Sequence, residues 1–180
     1  NKELVLRFYN ERRRQLSEVE PNSGHFGLVE LEKYFDVQII TQNVDNLHER
    51  AGSKNILHLH GELTKARSTI EDTLIYEIGY KDIALGDLYS HLRPHIVWFG
   101  EMVPEIENAI RLVRRADILA IVGTSLEVYP AAGLINEIDY DTPIYLIDPN
   151  KIQHVSQSVI HIQESATRGV KLLIDKLIEQ

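Results

Sequence analysis

Short runs of β-branched and apolar residues with almost no polar face constrain this chain more than any other feature. They occupy residues 37–41, 56–59, 96–99, 118–122, 144–147 and 159–162. A strand that is apolar on both faces must be covered on both, which the helices of a parallel α/β sheet achieve. Amphipathic stretches lie between the runs. Val5, Phe8, Tyr9 and Leu16 recur at helical spacing, and Val29, Leu31, Tyr34 and Phe35 mark a second helix after Pro21-Asn22-Ser23-Gly24. Residues 45–51 read as a short helix closed by Gly52. Pro104 opens a helix to residue 115 striped by Ile106, Ala109, Ile110 and Val113, and Pro130 opens another to residue 138. Ala166, Val170, Leu173, Ile174 and Leu177 stripe a last one. The alternation predicts an α/β fold with a parallel sheet and helices on both faces. Only residues 65–92 lose the period, and they read as an insertion between two sheet-forming parts, 1–64 and 93–180.

Composition removes whole classes of function. With 43% apolar and 26% charged residues the chain is an ordinary globular domain. It has no cysteine, which excludes disulfides, a cysteine nucleophile and any cysteine-bound zinc. Nineteen Lys and Arg against 27 Asp and Glu give a net charge of −8, which repels phosphate backbones and anionic lipid, so neither nucleic acid nor membrane is an expected partner. The longest apolar run, residues 118–122, is far below the roughly 20 residues that span a bilayer. A cytoplasmic location is expected. The sequence begins with Asn rather than Met and runs straight into a helical pattern, so a longer parent chain is expected.

In open α/β sheets ligands bind beyond the carboxyl ends of the strands. Polar or glycine-rich residues follow five strand ends: Gln42, Asn43 and Asp45; His60; Gly100-Glu101; Gly123-Thr124-Ser125; and Asp148. Their convergence points to a nucleotide crevice. His60, at a strand end, suits a general base near neutral pH and equally suits a structural hydrogen bond; the pattern leaves both open. His58 shares its face of the strand, so His-x-His also permits a metal pair, although two imidazoles alone make a poor zinc site. Gly123-Thr124-Ser125 offers backbone N–H groups and hydroxyls where Rossmann-like folds meet phosphate or ribose, but neither a Gly-x-Gly-x-x-Gly nor a Gly-x-x-x-x-Gly-Lys-Ser/Thr loop is present. Tyr9 and Arg12 lie on one helix face and can read a carboxylate together; Arg12-Arg13-Arg14 can as well be a solvated face.

Four segments resemble, in order and spacing, the sirtuins, the NAD-dependent protein lysine deacylases: Thr41-Gln42-Asn43-Val44-Asp45-Asn46-Leu47-His48, His58-Leu59-His60-Gly61-Glu62-Leu63, Pro94-His95-Ile96-Val97-Trp98-Phe99-Gly100-Glu101, and Gly123-Thr124-Ser125-Leu126-Glu127-Val128-Tyr129-Pro130. The resemblance implies a Rossmann-like catalytic domain that consumes NAD as co-substrate and acts on acyl-lysine proteins, with His60 as catalytic base. It places Gln42, Asn43, Val44 and Asp45 at the nicotinamide ribose, Gly123, Thr124 and Ser125 along the NAD site, and Asp148 and Ala166 near its adenosine end. Val97, Phe99, Gly100, Glu101, Val128 and Tyr129 would clamp the substrate peptide as an added strand. The products implied are nicotinamide, O-acyl-ADP-ribose and free lysine.

Phe8-Tyr9-Asn10-Glu11-Arg12-Arg13 resembles the Tyr-x-x-Arg motif of class III sirtuins, which remove succinyl and malonyl groups, so Tyr9 and Arg12 would pair with the acyl carboxylate. Two departures stand out. Ser68 falls about where the first of the family's four zinc cysteines would lie, so the insertion is a reduced, zinc-free module, expected to hold together through Leu74, Ile75, Tyr76, Ile78 and Tyr80. The family's amino-terminal strand and Gly-Ala-Gly-x-Ser turn match nothing here and are expected before Asn1 in the parent protein. The alternatives are mono-ADP-ribosyl transfer and a catalytically idle NAD or ADP-ribose binding module. A monomer is expected.

Overall fold

A computed structural model describes residues 1–84, 91–124, 129–150 and 159–178. Helices α1 (Lys2–Leu16) and α2 (Ser23–Leu31) lead into strand β1 (Ile39–Thr41), helix α3 (Leu47–Ala51) and strand β2 (Ile56–His58). Strands β3 (Gly61–Ser68), β4 (Ile75–Glu77) and β5 (Leu92–Ile96) follow. The chain continues through α4 (Ile106–Val113), β6 (Leu119–Val122), a 3-10 helix (Ala131–Glu137), β7 (Ile144–Ile147), β8 (Val159–Ile162) and α5 (Ala166–Ile178).

The parallel α/β expectation holds in two groups, β1 beside β2 and β6 beside β7 beside β8. β7 and β8 fall where their apolar runs predict, and Tyr145, Ile147 and Ile162 join Leu31, Val170, Leu173 and Ile174 in one core under α2 and α5. α5 comes close because Gly169 is small: a Cβ there would sit 2.2 Å from the Ile147 side chain. The third group differs from expectation. β3 pairs antiparallel with β4 and with β5, and β5 ends at Ile96, so residues 97–99 are not the strand that their composition suggests. A register shift between Glu62 and Ala66 breaks the period-2 signal that would have exposed β3.

Two packing expectations are also revised. The buried face of α1 is Leu6, Asn10, Arg13 and Leu16, while Phe8 is about half exposed, so the stripe is rotated toward two polar residues. Arg13 is 0% exposed: its Nε donates to the Leu63 carbonyl at 2.5 Å and its Nη1 to Asn10 Oδ1 at 2.8 Å. Asn10 in turn donates to the Ile83 carbonyl at 2.9 Å and accepts from the Ile83 N–H at 3.0 Å. The 65–92 segment packs through Leu6, Ala66 and Ile83, with Ile78 and Leu92 alongside. Leu74, Ile75, Tyr76 and Tyr80 stay exposed, because β4 is an edge strand without cover.

Candidate active site

Thr41 pairs with His58 in register, so β1 and β2 end side by side and the residues just beyond them meet. His60 Nδ1 lies 3.0 Å from the Gln42 carbonyl oxygen. A carbonyl only accepts, so Nδ1 carries a proton, and in the neutral ring Nε2 is then the acceptor, the tautomer a general base needs. Backbone bonds fix the segment: the Leu59 N–H donates to the Thr41 carbonyl and the Val97 N–H to the His60 carbonyl, each at 2.9 Å. Gly61 takes φ 78°, and a Cβ on it would stand 2.0 Å from the His95 carbonyl oxygen. Only glycine lets β3 leave His60 so close to β5.

The Gln42 amide faces the other way and donates to Thr124 Oγ1 at 3.4 Å, tying the β1 rim to the turn after β6. There Gly123 has φ 61° with no atom of the described residues within 4 Å of where a Cβ would be, and its N–H donates to the Ile147 carbonyl at 2.9 Å. Open backbone at a strand end fits the close approach of a nucleotide's ribose or phosphate. The loop between β1 and α3 is held by its own side chains, by Thr41 and by β3. Asn43 N–H donates to Thr41 Oγ1 at 3.1 Å, Leu47 N–H to Asp45 Oδ1 at 3.1 Å, and Leu63 N–H to the Val44 carbonyl at 2.7 Å. Asp148 follows β7, and its Oδ1 accepts from the Asn150 N–H at 2.8 Å, while Ala166 begins α5. Ser125 and Val128 lie outside the described residues.

On α1, the Tyr9 ring stacks on Trp98 at 6.2 Å between centroids and meets Phe8 edge-on at 5.2 Å. Arg12 runs along the exposed surface, its Nη1 donating to Gln15 Oε1 at 3.1 Å and its guanidinium 5.2 Å from the Phe8 ring centre. Phe99 and Tyr129 project into solvent, and Gly100 turns with φ 88°. The Glu101 side chain turns inward, to Arg93 at 2.6 Å and Arg67 at 3.4 Å, and these bonds, Arg93's foremost, hold its carboxyl below the usual range.

His58 and His60 bond to different partners. His58 Nε2 meets Glu49 at 2.7 Å. Burial pulls the His58 pKa down, yet the Glu49 bond and charge, aided by Glu62, leave it raised. Glu49, His58 and Glu62 bring ligand atoms within 4.8 Å of one another, but Lys65 already bonds Glu62 at 2.5 Å. The His25 and His48 rings meet at 4.8 Å, tilted by 58°, and burial lowers both pKa values. Sequence reasoning left Arg67, Arg93, Trp98 and Glu49 unassigned; the sole available signal was their charge or ring next to a recognised motif.

The family model of the Sir2 family matches residues 1–130. The chain belongs to the Sir2 family. An NAD-dependent protein deacylase of Helicobacter pylori is 56% identical over 183 residues, covering 99% of this chain and 80% of that one. This sirtuin also resembles a crystal structure of a Sir2 homologue–NAD complex, with a TM-score of 0.83 and 34% identity over 98% of this chain and 72% of the other. A Sir2 protein bound to a propionylated peptide matches with a TM-score of 0.81 and 27% identity, covering 97% of this chain and 78% of that one.

Proposed function

We propose that this sirtuin is an NAD-dependent protein lysine deacylase that prefers acidic acyl groups, with residues 1–64 and 93–180 forming the NAD-binding catalytic part and 65–92 a reduced module. The observation that carries it is the His60–Gln42 bond, which leaves Nε2 as the acceptor on the rim where Gln42 reaches Thr124. NAD, held along Gln42, Asn43, Val44, Asp45, Gly123, Thr124 and Ser125, supplies a ribose carbon that takes the acyl oxygen as nicotinamide leaves. His60 Nε2 removes a proton from a ribose hydroxyl, and the Gln42 carbonyl steadies the imidazolium through Nδ1–H. The turn from Val97 to Gly100, with Val128 and Tyr129, pairs with the substrate main chain. Tyr9 and Arg12 bind the acyl carboxylate, a charged hydrogen bond worth about 1.5–3 kcal/mol, or roughly tenfold to hundredfold preference over acetyl.

The partners inferred are acyl-lysine proteins rather than nucleic acid or membrane, in keeping with the net charge of −8, and no helix among the described residues is long and apolar enough to cross a membrane. We read the molecule as a cytoplasmic monomer. Mass spectrometry of products from succinyl- and acetyl-lysine versions of one peptide with NAD tests the activity, beside His60→Ala with NAD affinity measured by calorimetry. O-succinyl-ADP-ribose formed faster than the acetyl product, and turnover lost in a variant that still binds NAD, are expected. Intact peptides with NAD bound would mean a binding module, and ADP-ribose attached to protein a transferase.

A further inference from the structure

Glu101 sits beside two exposed residues, Phe99 and Gly100, yet its carboxylate does not face solvent alone. Arg93 grips it with both terminal nitrogens, Nη1 to Oε1 at 2.6 Å and Nη2 to Oε2 at 3.1 Å. Arg67 reaches Oε2 at 3.4 Å, and the Trp98 backbone N–H donates to the same oxygen at 2.8 Å. The Glu101 N–H donates back to the Trp98 carbonyl at 3.0 Å, which closes residues 98–101 into a tight turn. Arg93 also donates to the Ile96 carbonyl at 2.9 Å, and its guanidinium lies 3.5 Å from the centre of the Trp98 ring. The Tyr9 ring stacks against that indole, tilted by 25°.

These contacts form one line, from the turn that presents Phe99 and Gly100 to the Tyr9 ring, three residues before Arg12 on α1. Arg93 and Arg67 leave β5 and β3, which pair antiparallel at Arg67 and Arg93, so the line is anchored on a sheet and not on a loop. A guanidinium is the group suited to this place, because its plane satisfies a carboxylate at the edge and an aromatic ring at the face together; an ammonium can do either but not both in this geometry.

We propose that Arg93 and Glu101 are positioning residues: they set the Trp98 ring under Tyr9 and so couple the peptide-binding turn to recognition of the acyl carboxylate. The proposal rests on the reading of Tyr9 and Arg12 as the acyl-carboxylate pair. Glu101 then contributes to substrate binding by its backbone, while its side chain holds the turn from behind.

Arg93→Lys keeps the charge and removes the planar fork. In the full-length protein, KM for a succinyl-lysine peptide should rise about tenfold while kcat stays within about threefold, and the succinyl-to-acetyl ratio of kcat/KM should fall about tenfold, the loss expected for one misplaced charged hydrogen bond. Trp98 is the single tryptophan of this sequence, so its emission and near-UV circular dichroism should shift in the same variant. Glu101→Gln should lower the ratio in the same direction and serves if Arg93→Lys does not fold. An unchanged ratio, or equal losses on both peptides, overturns the proposal. Arg12→Met separates the two readings: if that variant also leaves the ratio unchanged, the acyl-carboxylate reading itself fails, whereas a collapsed ratio there and an intact one in Arg93→Lys refutes only the positioning role.

Discussion

Asn10→Ala removes one side chain from a buried polar knot and lets its worth be measured. Asn10 is 1% exposed and Arg13 is 0% exposed. The amide serves three bonds: it donates to the Ile83 carbonyl, and its oxygen accepts from the Ile83 N–H and from Arg13 Nη1. Truncation takes the Asn10 partner from two backbone groups and one charged N–H, while Arg13 Nη2 already has no hydrogen-bond partner among the described residues. A buried group orphaned in this way costs about 1–3 kcal/mol, more when charged, so we expect a loss of about 4 kcal/mol. For a chain of this size that is a fall of about 8–16 °C in Tm. Urea unfolding followed by circular dichroism gives the energy, and native-state hydrogen exchange at the Ile83 amide should accelerate beyond the global change, because its acceptor is gone. Asn10→Asp should lose less, since its oxygen still accepts from Ile83 and Arg13. A loss under about 1 kcal/mol, or unchanged exchange at Ile83, would refute the reasoning and mean that water enters the knot freely.

Gly61→Ala should cost at least about 3 kcal/mol and cut turnover more than tenfold, because φ 78° and a Cβ 2.0 Å from the His95 carbonyl push β3 and β5 apart behind His60; near-wild-type melting and turnover would count against it. The Glu49–His58 pair should make stability depend on pH. His58 is raised, so its contribution is full below its ordinary value of about 6.5 and fades as pH rises through the folded value. Glu49 is lowered, despite the opposing effect of burial, by the His58 hydrogen bond, so its contribution appears above the usual carboxylate range and is lost as pH falls through the lowered value. Glu49→Gln should therefore cost most near pH 6, about 1 kcal/mol after screening at the partly exposed Glu49, and almost nothing near pH 9. Equal losses at both pH values would show that the pair acts by packing alone.

What the sequence shows and hides follows from what each signal measures. β7 is legible because both faces are covered and residues 144–147 are all apolar or aromatic, whereas β8 shows only through Val159, Ile160 and Ile162, since His161 interrupts its run and Ile160 is 43% exposed. β3 is hidden because its inward positions include Gly61, Thr64, Ala66 and Ser68, small or polar residues, and the irregular register at Glu62 and Ala66 breaks the alternation that remains. The helix expected from Pro130 forms with the tighter i to i+3 bond between the Gly133 N–H and the Pro130 carbonyl, since Gly133 and the β-branched Ile135 weaken a full α-helix. The same logic separates the two sides of the site. His60, Gln42 and Gly123 stand out because strand ends are where open α/β sheets carry ligands. Arg13, Arg67 and Arg93 do not, because hydropathy counts an arginine as surface whatever it bonds to; only the three-dimensional placement of the Leu63 carbonyl, the Asn10 amide and the Glu101 carboxylate makes burial of these cations tolerable. Periodicity therefore exposes the strand-end rim around His60 and Gln42 and hides the arginines, whose partners it does not register.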